Sequence, residues 1–313
     1  MKNREANRRT AEYAEQAQRG SRRKTGWQDR LLPAEWSWQV KNSTIKTIKK
    51  IPALLGEVDI IRGIQLLPGV STVGEGAQGF NVRGGGVDQN LVLLDEAPVF
   101  NSSHLFGFFS VFNPDAVKDV KLIKGGIPAQ YGGRLSSILD VRLNEGNNKK
   151  LTVNGGIGLI FSRLTIEAPI VKDKCSFIIA GRRSYIDFLA KPFLRKDLKK
   201  SKFYFYDLTA KINYIINDKN RVYASGYIGR DVFSSGFKSN WGNTTTTIRW
   251  NHLFNQKLFL NTTVFYSNYD YELVFGQPNG DQFSWRSKII NYSLKPEFTY
   301  YANTKNTSDP EQR

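Results

Sequence analysis

"FYFYDLTAKINYII", residues 203–216, alternates without a break. Tyr204, Tyr206, Leu208, Ala210, Ile212, Tyr214 and Ile216 fall on one face, while Asp207, Thr209, Lys211 and Asn213 fall on the other. Successive side chains of an extended chain point to opposite sides, so a period of two marks a strand with one apolar and one polar face. The alternation is also long. Strands of water-soluble domains run to about 5–6 residues, whereas a tilted strand crossing a bilayer needs about 9–11.

The pattern extends both ways from this stretch. In "LTVNGGIGLIF" (151–161), Leu151, Val153, Ile157, Leu159 and Phe161 share a face, and in "RLTIEAPI" (163–170) Leu164, Ile166, Ala168 and Ile170 oppose Arg163, Thr165 and Glu167. "NDKN" (217–220) turns the chain into "RVYASGYIGRDVF", and "NQK" (255–257) joins "TTTTIRWNHLF" to "LFLNTTVFYSNYDYELVF". About eight such strands with tight polar turns fit before the end of the chain. Twenty Phe, 14 Tyr and 6 Trp suit aromatic girdles at lipid interfaces. A large soluble antiparallel sheet is the competing reading of the pattern alone.

The region before the strands has a different texture. In "EVDIIRGIQLLPGV" (57–70), Ile60, Ile61, Ile64 and Leu67 share a helical face, and Pro68-Gly69 ends the helix. "FNVR", "NLVLLDEAPVF", "VKLIKGG" and "LSSILDVRLNEG" read as short strands. In "NPDAVKDVKLIKGG" (113–126), Asn113 as cap, Pro114 at the first position and Asp115 at the positive dipole end predict a short helix. Such a mixture predicts a small α+β domain of about 100 residues.

Inside it, "VGEGAQGFNVRGGG" (73–86) spaces Gly74, Gly76 and Gly79 as G-x-G-x-x-G. A dinucleotide fingerprint requires a strand before the glycines and a helix opening at the last. Here a helix precedes and a strand follows. No Gly-Lys-Ser/Thr closes a P-loop, and Asn81 stands where a kinase loop has Val. The glycines are read instead as close backbone packing and positive-φ turns on either side of a strand carrying Asn81 and Arg83.

Composition excludes more than it assigns. Cys175 is the only cysteine, which rules out an intrachain disulfide and a Cys-rich zinc cluster. His104 and His252, the only histidines, read as surface or loop residues, and no nucleophile or metal motif surrounds them. No catalytic residue, metal or cofactor is expected. Of the net charge of +17, a large share comes from residues 1–50, with thirteen Lys or Arg and five acids. This stretch reads as a solvated basic arm, with no nucleic-acid partner expected, and it lacks the apolar core of a secretory signal.

Taken in order, "LLPGV", "GFNVRGGG", "NLVLLDEAPVF" and "NPDAVKDVKLIKGGIPAQYGGRLSSILDVRL" resemble the plug domain of TonB-dependent outer-membrane receptors, in the wording abundant in Bacteroidetes. The later strands resemble the start of the same receptors' barrel. The resemblance implies an α+β plug domain over 43–146 and the first eight or so antiparallel transmembrane strands of an incomplete barrel over 147–313; residues 1–42, read from composition as a basic, disordered arm, match nothing in the family up to about residue 38. It implies energy-coupled uptake of a scarce nutrient such as an iron chelate, cobalamin or glycan. The implied partners are TonB of the inner-membrane complex, outer-membrane lipid and a surface lipoprotein.

Apical loops of the plug are implied to bind ligand: Gly74, Glu75 and Gln78, with Asn101, Ser102, Ser103 and His104 hydrogen-bonding and Phe106, Phe108 and Phe109 stacking. Packing of these phenylalanines on the barrel wall is the alternative. Arg83 and Arg134 match the family's arginines that tether plug to wall carboxylates, because an unpaired buried arginine is costly. Position 96 is Glu where the family has glycine, and no TonB-contacting segment stands out. A domain of about 100 residues has a radius of gyration near 13 Å, yet an eight-stranded barrel has room only for side chains. The chain is therefore expected to hold a plug and about the first third of its barrel, and the 313-residue product alone is not expected to insert stably or transport. The competing function is a stand-alone ligand- or partner-binding protein without transport.

Overall fold

A computed structural model describes residues 40–44, 58–74, 79–158, 160–192, 201–276 and 281–300. Most of the basic arm, together with Glu75, Gln78 and Leu159, lies outside the described residues.

Helix α1 (Ile60–Gln65) opens at Asp59, whose Oδ1 accepts the Arg62 N–H at 3.0 Å. It ends at Leu66, ahead of Pro68. Nine short strands accompany it: β1 (Val40–Thr44), β2 (Val70–Thr72), β3 (Phe80–Val82), β4 (Asn90–Leu94), β5 (Ala97–Pro98), β6 (Ser103–His104), β7 (Phe109–Ser110), β8 (Val117–Ile123) and β9 (Ser137–Leu143). Five form one sheet in the order β1-β8-β9-β4-β5, with β4 and β9 parallel and the other pairs antiparallel. β2 pairs β3, and β6 pairs β7. Apolar side chains fill the interior, with Ile60, Ile64, Phe80, Val82, Leu94, Leu122, Leu139 and Val141 in one cluster. Leu93, Ile123 and Ile138 form another. Each such side chain contributes about 1.5–3 kcal/mol on burial.

The helix expected at Asn113 is a turn. Asn113 Oδ1 accepts the Asp115 N–H at 3.0 Å, and the Ala116 N–H donates to the Asn113 carbonyl at 3.0 Å. Asn side chains offer the backbone this local alternative to a helix. Val117, fully buried, already belongs to β8, so the segment has no room for more than a turn.

The remaining described strands are β10 (Thr152–Ile157), β11 (Phe161–Val171), β12 (Cys175–Ser184), β13 (Lys202–Asn217), β14 (Asn220–Ser235), β15 (Phe237–Leu253), β16 (Leu258–Gly276) and β17 (Gln282–Tyr300). They form one open antiparallel sheet in sequence order, a wall without crossovers. A short helix α2 (Ile186–Ala190) follows β12. One end of the wall, where the chain enters from the small domain, carries the turns around 172–174, 218–219 and 254–257. The other, the far end, carries Gly236 and the segments between β12 and β13 and between β16 and β17.

Burial in the wall is inverted relative to the small domain. Asp207, Thr209, Lys211, Asn213, Ser225, Asp231, Asn243, Thr245, Thr247, Thr263 and Ser267 are buried, whereas Leu208, Ile212, Tyr214, Ile228, Ile248 and Val264 are exposed. An exposed apolar belt of this extent marks a surface that another apolar phase or partner covers. Toward the far end the two faces exchange character. On the outer face Arg230 pairs with Asp270 at 2.7 Å, and Glu272 pairs with Arg286 at 2.7 Å. Gly242 stands between Arg230 and Asp270 in the register, and a Cβ there would lie 2.5 Å from the Gly229 carbonyl oxygen. On the inner face the same level carries Phe203, Phe233, Phe237, Trp241 and Phe275. β16 and β17, at 19 residues each, are longer than a bilayer requires. Their outer extension is polar outside and aromatic inside.

Candidate functional site: the contact between the small domain and the wall

Residues 101–110 leave the small domain as a knuckle. The backbone turns through left-handed conformations at Leu105 (φ 51°), Phe106 (φ 57°) and Gly107 (φ 103°), a costly arrangement for the first two. The surrounding wall holds it. His104 is 2% exposed, with Nδ1 2.6 Å from Asp231 Oδ2 and Nε2 3.3 Å from Asp207 Oδ2 and 3.2 Å from Tyr227 Oη. Its ring stacks on Phe205 with centroids 4.5 Å apart. The Leu105 N–H donates to Asp231 Oδ1 at 2.8 Å. Arg182 donates to Asp207 through Nε at 2.8 Å and through Nη2 to the Ser110 carbonyl at 2.8 Å. The Ser110 N–H in turn reaches Asp59 Oδ2 at 2.6 Å.

Burial by itself would lower the His104 pKa. The Asp231 charge, with hydrogen bonds to Asp207 and Asp231, outweighs it and raises the pKa to about 9. An imidazolium and the Arg182 guanidinium thus face two wall carboxylates, a neutral set in a dry interior. Burial pushes the Asp59 carboxyl up, against two backbone N–H donors and Arg182.

Lower on the wall the polarity of the pairs reverses. Lys211 Nζ lies 3.0 Å from Asp95 and donates to the Leu143 carbonyl at 3.1 Å. Arg249 pairs with Glu96, Arg163 with Asp115 at 3.0 Å, and Arg221 with Glu145 at 2.6 Å. Burial would raise the Glu145 pKa, but Arg221 and Lys118 hold it below the usual value. Asp95 (φ 45°) and Glu96 (φ 76°) are the two central residues of the turn between β4 and β5. Two positive φ angles suit a tight hairpin turn that favours glycine second. Glu96 tolerates this strain where its carboxylate meets Arg249. Asn243 completes the edge of β5, accepting the Phe100 N–H at 3.2 Å and donating to the Asn101 carbonyl at 2.7 Å. Ser267 donates to the Pro98 carbonyl at 2.6 Å.

At the far end the knuckle inserts Phe106 among wall aromatics. Its ring centroid lies 4.9 Å from Trp241, 5.7 Å from Phe233 and 6.0 Å from Phe203. Phe233 continues to Phe237 at 4.9 Å, and Phe237 to Phe275 at 5.4 Å. Phe106 remains 39% exposed, and Trp241 is 4% exposed. Trp241 Nε1 is buried and has no hydrogen-bond partner among the described residues.

The residues singled out by sequence separate into three groups. Ser103, His104 and Phe109 are buried against the wall and do not face solvent, which corrects the surface reading of His104; Phe109 packs edge-on to Phe161 at 5.2 Å. Phe106 and Phe108 are exposed at the knuckle, and Asn101 and Ser102 are half-buried beside it. Gly74 (φ 139°) is exposed, apart from that group, and Glu75 and Gln78 lie outside the described residues. Arg83 is exposed, its stem 3.9 Å from where a Gly69 Cβ would stand. Arg134 is exposed, donates to the Gly133 carbonyl at 2.8 Å, and lines a cavity of about 360 Å³ with Asp88, Asn90 and Phe100. The wall contacts described above run through His104, Asp95, Glu96, Asp115 and Glu145. Sequence reasoning missed Arg182, Asp207, Asp231, Lys211 and Arg249. Their signal was charge on the polar face of strands otherwise lined by Thr, Ser and Asn.

Residues 41–137 match the TonB-dependent Receptor Plug Domain family. No curated protein matches the chain in sequence. Among solved structures, the chain is similar to the siderophore receptor PirA from Acinetobacter baumannii, at 14% identity and a TM-score of 0.61, over 82% of this chain and 45% of that one. It is similar to the outer membrane transporter YddB from Escherichia coli, at 13% identity and 0.60, over 84% and 46%. A copper transporter, OprC, follows at 11% identity and 0.59, over 85% and 43%. The chain thus spans less than half the length of these structures.

Proposed function

From a chain whose residues 41–137 are the plug domain of a TonB-dependent receptor, we propose the function of an outer-membrane importer that takes up a scarce nutrient at the expense of inner-membrane energy. The family is one of receptors and transporters, not enzymes. The observation that carries the reading is the wall: its buried face is polar, its exposed face apolar, and its polar face grips the plug through ion pairs. An importer needs such a plug, held in place until energy is supplied, and polar contacts can be exchanged for water without exposing a core. TonB is the proposed energising partner, and outer-membrane lipid the proposed solvent of the apolar belt. Arg83 and Arg134 are exposed on the plug, and their tethering role belongs to this proposal. Since similar structures are named for a siderophore and for copper, metal chelates head the substrates to be tried.

The experiment is fractionation followed by uptake. The protein, expressed with its native flanking sequence, is expected in the outer-membrane fraction. Cells are then offered radiolabelled ferric chelates, cobalamin and a glycan oligomer in turn. One of them should accumulate, and a proton uncoupler should abolish accumulation. Recovery as a soluble periplasmic protein that retains a ligand without uptake would support the stand-alone binding function instead.

A further inference from the structure

We propose that Arg183, Tyr206 and Arg230, on the outward face of the wall, form a docking site for the phosphate-bearing headgroup of a membrane lipid. The inference adds a specific lipid contact to the import reading and rests on it only for placing the wall in an outer membrane. Arg183 of β12 stands directly opposite Tyr206 of β13, which stands opposite Arg230 of β14. Residues opposite each other across an antiparallel pair share a face, so two guanidiniums flank one phenol in a single rung. The rung continues through Gly242 and Asp270 to Lys288 of β17. Four residues farther toward the rim, a second rung places Lys202 and Lys238 on either side of Ser234. With Arg286 opposite Glu272, the outward face above the apolar belt carries six cations and two carboxylates among the described residues.

Height matters as much as charge. From Ile216 to Tyr206, β13 takes ten steps, about 33 Å at 3.3 Å per residue. At the usual strand tilt that is a rise of about 25 Å, the height of a lipid-facing band. On β17 the outward residues from Tyr300 to Ile290 are apolar over the same ten steps, and the next outward residue is Lys288. The first rung therefore lies where hydrocarbon gives way to headgroups, a depth at which tyrosine is enriched. Its cations are available. Arg230 uses only Nη2 on Asp270, and the Arg183 guanidinium lies over the Tyr204 ring, 5.5 Å from its centroid. Arg183, Lys202, Lys238 and Lys288 are exposed and have no ion pair among the described residues. The arginine fork matches a phosphate bidentately, and two inter-strand spacings, about 10 Å, are a gap that two arginine side chains close around one phosphate. At the near end the signs alternate instead, with Asp173 between Lys172 and Lys174 and Asp218 beside Lys219. The far end carries the longer connecting segments, the outer side by the usual rule for such walls, so the lipid belongs to the outer leaflet.

The test uses the protein expressed with its native flanking sequence and purified in maltoside detergent. Native mass spectrometry and titration calorimetry compare dioctanoyl phosphatidic acid, a phosphomonoester, with zwitterionic dioctanoyl phosphatidylcholine. Phosphatidic acid is expected to bind about tenfold more tightly. Arg183→Gln and Arg230→Gln should each weaken it by about fivefold, and the double variant by more. Lys172→Gln and Lys219→Gln remove the same charge at the near end and should change nothing. Should the glutamine variants misfold, Arg183→Lys and Arg230→Lys keep the charge but lose the fork, and should weaken binding in the same direction. Equal affinity for the two lipids, or an equal loss in the near-end variants, would overturn the proposal. Competition by inorganic phosphate at the lipid's own concentration would assign the site to a free anion and overturn it as well. Energised uptake is read separately: its absence with lipid preference intact would remove the import reading and leave the site.

Discussion

The plug and the wall bury opposite kinds of side chain. The plug hides Ile60, Phe80, Leu122 and Leu139 and behaves as any water-soluble domain does. The wall hides Asp207, Lys211, Asp231 and Asn243 and leaves Leu208, Ile228 and Ile248 outside. Where the two meet, an apolar-cored body touches a largely polar surface, and ion pairs and backbone hydrogen bonds are joined by ring packing such as Phe109 on Phe161. Stability of the plug and attachment of the plug are therefore separate quantities. Substitutions should change one without the other, and each prediction below tests that separation.

The largest effect is expected from Asp231→Ala. It leaves His104 Nδ1 and the Leu105 N–H without an acceptor in a site 2–3% exposed. Breaking a buried pair from one side costs roughly 3–5 kcal/mol. The cost should fall on attachment: proteases should cut the knuckle at 101–110 while the plug's own unfolding midpoint holds. A midpoint that drops in parallel would mean the two bodies fold as one.

Next come Leu139→Ala and Leu208→Ala as a pair. Leu139 is fully buried in the plug, and its truncation should cost about 2–5 kcal/mol by denaturant unfolding. Leu208 is 48% exposed on the outer face, and truncating it in detergent should cost little. Leu208→Arg in a bilayer should cost about 2–4 kcal/mol if the belt is lipid-facing. Indifference to arginine there would break the comparison at its root.

These contrasts were unequally legible. The outer and inner faces of β13 could be read from residues 203–216 alone, because a two-residue period leaves no freedom once one face is fixed. The helix at Ile60 was equally plain. The lock was not. His104 sits in a phenylalanine-rich stretch that looks like a solvent-facing loop, and its partner Asp231 lies 127 residues away. Only the folded wall brings them together. The turn at Asn113 was misread as a helix because caps and Asx turns use the same residues, and the buried Val117 that decides between them gives no local sign.

A third prediction concerns pH. The His104 pKa is about 9 in the folded state against 6.5 for the free side chain. The raised value means that its contribution, about 3 kcal/mol, is fully present below about pH 6.5, declines as pH rises and is lost above about 9. Asp207, Asp231, Arg182 and Tyr227 are the charged and titratable groups facing it. Protease access to the knuckle should rise between pH 7 and 10 in the native chain, and His104→Leu should flatten that rise. A rise that survives the substitution would place the titration elsewhere.

The smallest effect is the most discriminating, because two terms of opposite sign meet at Glu96. Its left-handed backbone costs on the order of 1 kcal/mol relative to glycine. Its carboxylate pairs with Arg249, whose Nε is buried and lacks another partner among the described residues. Glu96→Gly relieves the strain within the plug and removes the pair across to the wall. The plug alone should become slightly more stable, by under about 1 kcal/mol, while its attachment weakens and loses part of its salt dependence. Glu96→Gln keeps the strain and loses the charge, so it should weaken attachment without the compensating gain. If Glu96→Gln behaves as the native chain in both measurements, the carboxylate does nothing for attachment. The strained turn would then need another cause.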